Sequence, residues 1–237
     1  MAQAKIIRRR SKANGAILRA LKNPIYDVME IPAAAGAVPL IQFFSIQQGG
    51  ALNVTGVPKT IAETNLTESG SLGSPQEADF WGFNCSVMYD DGYYENGAGG
   101  PSVLVNFIDD MVEIYEQSVF EFWFNNKLWY QNPLTKIPHG VFPLTGPLAT
   151  GSNAAAAAGV HFFTISNGLS SKDEYAKFLA SKPHVEAWNE KLKAIGIASK
   201  ENFNVTCRWP NAAVGLTADG AGTRMTVFLN GVIYTAM

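Results

Sequence analysis

The chain has 237 residues, enough to bury a sizeable core as one large β-sandwich or as two small domains. Charged residues make up 16%, below the roughly 25% usual for soluble domains, so either partners cover much of the surface or the surface is polar and uncharged. The net charge of -2 hides a split: seven of the 18 basic residues and no acidic one lie in residues 1–22, leaving 11 basic against 20 acidic side chains beyond.

No apolar run is long enough to span a membrane, and no apolar segment of signal-peptide type follows the basic start, which argues against secretion. Cys85 and Cys207 fit no metal or redox spacing and read as buried free thiols in strands, in a reducing cytoplasm. Asn53, Asn65, Asn84 and Asn204 head Asn-x-Ser/Thr triplets, expected to be chance matches in an Asn- and Thr-rich chain.

Residues 1–22 form a basic arm carrying Lys5, Arg8, Arg9, Arg10, Lys12, Arg19 and Lys22. Such an arm on an acidic body suits an anionic surface, either nucleic acid or phospholipid; the plainer alternative is a disordered solubilising tail. Ile17, Leu18 and Leu21 with Arg19 and Lys22 outline a short amphipathic basic helix, weakened by Gly15. Asn23-Pro24 ends it, and Ile25–Ile31 and Pro39–Ile46 read as strands around a flexible Pro32–Gly36 connector. Residues 47–79 are polar and Gly-rich, long loops around at most one short strand and a candidate contact surface.

Phe80–Tyr89 reads as a strand and 90–102 as a Gly-rich loop that lacks a phosphate-loop pattern. Residues 104–117 have helical period, with Leu104, Phe107, Ile108, Met111, Ile114 and Tyr115 on one stripe. Asp109, Asp110, Glu113 and Glu116 are expected on the solvated face.

Val119–Leu134 is the most distinctive stretch: two aromatic-rich strands with Asn125-Asn126 where a two-residue turn belongs. Pairing Phe124 with Lys127 would place Phe122 opposite Trp129 and Trp123 opposite Leu128. Phe120, Phe122, Phe124 and Trp129 then share one face, and Val119, Trp123, Leu128 and Tyr130 the other. Neither face is the alternating wet one of a simple hairpin, so a neighbouring subunit is expected over one of them. The subunit-interface candidates are Phe120, Phe122, Trp123, Phe124, Trp129 and Tyr130, with the loops at 47–79 and 138–153.

A Pro-spaced loop follows, then a small-residue run at 153–159 and a strand at Val160–Ile165. A second helix is expected over 171–195, opened by a Ser171–Glu174 capping box, kinked at Pro183 and ended by Gly196. Phe203–Trp209 and Thr223–Tyr234 are the closing strands, and Asn230-Gly231 is either a bulge or a last hairpin turn.

His139, His161 and His184 lack a second ligand at metal spacing, and no nucleophile elbow or dinucleotide fingerprint occurs. No catalytic residue, metal or cofactor is therefore assigned, and the protein is not expected to be an enzyme. Trp81, Tyr93, Tyr94, Trp123, Trp129 and Tyr130 could stack on sugars or bases, but only Lys127 lies nearby, which favours core or interface over nucleic acid. About eight scattered strands with two inserted helices and long loops point to a mainly β, antiparallel jelly-roll sandwich over 23–237.

The order of segments resembles the capsid proteins of icosahedral, tailless bacteriophages. The basic arm, KTIAETNL, the FWGF strand, FEFWFNNKLWYQNPLTKIPHG, FNVTCRW and MTVFLNGVIY carry the resemblance over about residues 24–237. It implies a single jelly roll, since a double one needs about twice the strands read here. It also implies self-assembly into trimers or capsomers with other virion proteins, and an arm facing an internal membrane or genome. The expected setting is the virion, after synthesis in the host cytoplasm. The alternative is a carbohydrate-binding β-sandwich, such as a spike or lectin-like module; a hydrolase on the same scaffold is a third reading.

Overall fold

The computed structural model describes residues 8–10, 17–21, 24–88, 109–110, 112–137, 148–152, 161–165 and 195–236. The strands in chain order are β1 (Arg8–Arg10), β2 (Ile17–Leu21), β3 (Ile25–Glu30), β4 (Leu40–Phe43), β5 (Glu77–Met88) and β6 (Val119–Phe124). Then come β7 (Lys127–Pro133), β8 (Leu148–Ser152), β9 (His161–Ile165), β10 (Ile195–Ile197), β11 (Phe203–Arg208) and β12 (Arg224–Ala236). The fold is mainly β, with two antiparallel sheets and a separate β8–β9 hairpin.

One sheet runs β1-β2-β12-β5-β10, with β3 also on β12; the other runs β4-β11-β6-β7. Alternation along the strands decides what lies between them. Phe83, Cys85 and Val87 from β5, Met225, Val227 and Leu229 from β12, Phe120 and Phe122 from β6, and Val205 and Cys207 from β11 are all buried. Phe80 meets Phe122 at 5.1 Å between ring centroids and Phe83 meets Phe120 at 5.3 Å, so aromatic rings bridge the two inner faces.

The helical expectation for Ile17–Leu21 is overturned. Leu21 pairs with Ile233 and Ile25 with Leu229, so β2 and β3 lie along one edge of β12 in a single register, interrupted around Pro24, which has no N–H to donate. A two-turn helix gains little by itself, whereas the open half of β12 offers a hydrogen-bonded partner and a buried seat for Leu18. The body of the fold therefore begins at Ile17 or earlier, ahead of residue 23.

Asn230-Gly231 is a bulge site inside β12, not a turn. The register with β5 passes from Asn230–Gly82 to Gly231–Phe80, which leaves Trp81 as the extra residue. A side chain at Gly231 would put its Cβ 2.2 Å from the Asp79 carbonyl oxygen, so only glycine fits that close approach.

Residues 109–110 and 112–115 are helical, 116–117 turn out of the helix, and the rest of the first expected helix lies outside the described residues. Its acidic face is not simply solvated. Asp110 is buried and accepts hydrogen bonds from the Thr217 backbone N–H (2.9 Å) and hydroxyl (2.8 Å), and Glu113 accepts one from the Gly215 N–H (2.8 Å). These carboxylates secure the 214–217 segment, a role that periodicity does not encode. The second expected helix lies outside the described residues except for its last position. Ile195 and the expected cap Gly196 belong to β10, paired with Phe80 and Asp79.

Candidate functional site

The Asn125-Asn126 turn forms as expected, with φ of 49° and 60°, the left-handed pair a two-residue hairpin turn requires. Phe124–Lys127 and Trp123–Leu128 pair as read from the sequence, but Phe122 then faces Tyr130, and Trp129 is the extra residue of a bulge. The bulge brings Tyr130 to the inner face, 5.2 Å from Phe83, while Trp129 stays beside Phe124 at 5.8 Å. Phe120, Phe122 and Phe124 are buried within the chain, so the sandwich itself covers the face they share. Trp129, at 50% exposure, and Leu128 remain open to solvent.

The other face of this sheet keeps Val119, Trp123 and Leu128 as read from the sequence, with a polar row between them. Gln42, Thr206, Glu121 and Gln131 lie in one transverse row across β4, β11, β6 and β7. Glu121 is nearly buried at the centre of the row. It accepts hydrogen bonds from Arg208 Nη2 (2.7 Å), Gln131 Nε2 (2.9 Å), Thr206 Oγ1 (3.1 Å) and Trp123 Nε1 (3.3 Å). Burial would raise its pKa, but the Arg208, Thr206, Gln131 and Trp123 donors outweigh that and hold the carboxyl below its ordinary range. Its relevance was hidden in the sequence because a lone glutamate in an aromatic strand has no distinguishing spacing.

Loop 47–66 seals the free edge of β3. The Asn65 amide accepts from the Tyr26 N–H and donates to the Pro24 carbonyl, and Asn53 does the same for Glu30 at 2.8 and 2.7 Å. Val28 N–H donates to the Glu63 carbonyl between them. The two amides complete the strand pairing with side chains in place of backbone. Beneath the loop, Lys59 Nζ meets Asp27 Oδ1 at 2.7 Å with both side chains fully buried. Asp27 Oδ2 also accepts the N–H of Phe44, a residue at φ 64°. Burial raises the Asp27 pKa against the opposing pull of Lys59.

The basic residues divide. Lys5, Lys12 and Lys22 lie outside the described residues. In the β1–β2 ribbon, Arg8 pairs with Arg19, Arg9 with Leu18 and Arg10 with Ile17. Ile17 and Arg19 are exposed and Leu18 is buried, so the register positions of Arg8 and Arg10 share the outward face with Arg19.

Cys85 and Cys207 are free, buried thiols whose pKa values burial pushes up, as expected for inert core cysteines. His161 lies in β9, and His139 and His184 lie outside the described residues. Among the described residues no cluster of His, Cys, Asp and Glu could hold a metal ion, and no helix is long and apolar enough to cross a membrane. A cavity of about 350 Å³ on the outer side of the six-stranded sheet is lined by Tyr26, Val28, Glu63, Met88, Arg224 and Phe228, among others. No family model, curated protein or solved structure matches the chain.

Proposed function

We propose that this chain is a virion structural protein: a single jelly-roll capsid subunit that self-assembles, with its basic N-terminal segment turned toward membrane phospholipid or genome. The strand order carries the reading. Counting only the eight strands β3, β4, β5, β6, β7, β10, β11 and β12, one sheet orders them first, eighth, third, sixth, and the other second, seventh, fourth, fifth. That interleaving, with each half of the chain wound across both sheets, supports the jelly-roll reading. The fold is compatible with other functions, so the assembly reading takes further support from the surface.

Leu128 and Trp129 at the hairpin tip, and Val54, Val57 and Ile61 on the loop over β3, are large apolar side chains at 42–64% exposure. Closing such patches against neighbours by symmetry would supply the association energy. Arg8 stands opposite Arg19 in the β1–β2 register, a pairing of like charges that an anionic surface relieves. Mass photometry and electron microscopy of the purified protein test the proposal. Shells or discrete capsomers are the expected result, and a stable monomer at high concentration would overturn it.

A further inference from the structure

The outer face of the β4-β11-β6-β7 sheet carries a feature that shell assembly does not require. The row Gln42–Thr206–Glu121–Gln131 crosses all four strands in register, flanked on one side by Asn204–Trp123–Leu128 and on the other by Leu40–Arg208–Val119. Gln42, Gln131, Leu40 and Leu128 are exposed, and Trp123 is half-buried. We propose that this face is a binding platform for a neutral oligosaccharide, with the Trp123 indole as stacking surface and the polar row as hydroxyl reader.

Three observations select that ligand class. The indole N–H of Trp123 is tied to Glu121 two residues back on the same face, which lays the ring along the strand and fixes its orientation before any ligand arrives. Glu121 and Arg208 form an ion pair at 2.7 Å, so the one acid and one base of the platform cancel each other. A polyanion such as nucleic acid, or a cationic partner, finds no uncompensated charge there. Finally, donors and acceptors remain after the internal network is satisfied. Arg208 commits its Nε and Nη2 to Glu121, and Gln131 commits one amide hydrogen. The remaining guanidinium and amide N–H groups and the amide carbonyl oxygens have the planar, bidentate geometry that pairs with adjacent hydroxyls.

A rigid network also lowers the ordering cost of binding, because the side chains that contact the ligand are already held. Charge balance and the polar row distinguish this face from Trp129 and the apolar loop over β3, where a second subunit is the better fit. The inference stands independently of assembly.

The test uses the full-length protein on an array of neutral glycans: linear glucans, galactans, N-acetylhexosamine oligomers and bacterial surface oligosaccharides. Binding to at least one class is expected, with a change in indole fluorescence on titrating that oligosaccharide. Trp123→Ala should abolish binding, and Gln131→Ala should weaken it roughly tenfold, with both variants shown to be folded. Trp129→Ala, at the other side of the sheet, should leave it intact. The proposal is overturned if the folded wild-type protein binds no neutral glycan. It is equally overturned if binding survives both Trp123→Ala and Gln131→Ala, or if only charged glycans bind and salt abolishes it.

Discussion

Lys59 and Asp27 form an ion pair of 2.7 Å with neither side chain reaching solvent, and it joins the loop over β3 to the strand beneath. Besides the carboxylate, the ammonium has the Met29 sulfur at 3.2 Å. Two desolvated charges are tolerable together, but either alone is not. Lys59→Met should therefore destabilise the fold by about 3–5 kcal/mol. Denaturant unfolding should also show the Lys59→Met/Asp27→Asn double variant recovering part of the loss. If the single variant is as stable as the wild type, the pair does not hold the loop.

The position of β2 predicts two different truncations. Removing residues 1–7 should leave stability near that of the full chain, because β1 and β2 are retained. Removing residues 1–21 deletes β2, unpairs Ile233–Ala236 of β12 and removes the buried Leu18. That protein should melt well below the shorter truncation and expose an aggregation-prone edge, as seen by light scattering. Leu18→Ala alone should cost roughly 2–3 kcal/mol.

The hairpin turn holds two asparagines in the left-handed region, Asn126 at φ 60°. Glycine adopts that conformation without steric cost, so Asn126→Gly should raise stability by about 0.5 kcal/mol. A β-branched residue there, as in Asn126→Val, should lower it by about 1–2 kcal/mol. Equal stability of the two variants would show that the turn is not strained toward positive φ.

Glu121 is held below its ordinary pKa of 4.5 once its donors overcome burial. A depressed carboxylate contributes stability that is fully present above its unfolded value and lost as pH falls through the folded one. Wild type should therefore exceed Glu121→Gln in stability at neutral pH, and the gap should narrow as pH drops below about 4.5. Paired urea titrations at several pH values would reveal the convergence. A gap independent of pH would mean that the carboxylate charge is immaterial.

Much of the architecture was legible before any coordinates. Runs of β-branched and aromatic residues located β3, β4, β5, β6, β7, β9, β11 and β12 to within a few residues, because local propensity acts over short windows. Asn125-Asn126 specified its own turn for the same local reason. The order of the segments also suggested a sandwich.

What only the tertiary structure decided depends on partners distant in sequence. Ile17–Leu21 has helical spacing, yet β12 captures it as a strand, since pairing and burial outweigh a weak helical preference. One extra residue at Trp129 moved Tyr130 into the core, and another at Trp81 shifted half of β5; bulges leave no periodic trace. Asp110 and Glu113 spaced like a solvated face but serve backbone N–H groups more than 100 residues away. The Glu121 platform and the Asp27–Lys59 pair are built from residues ordinary in isolation. Their chemistry arises from burial and from the register of strands that the sequence brings together only on folding.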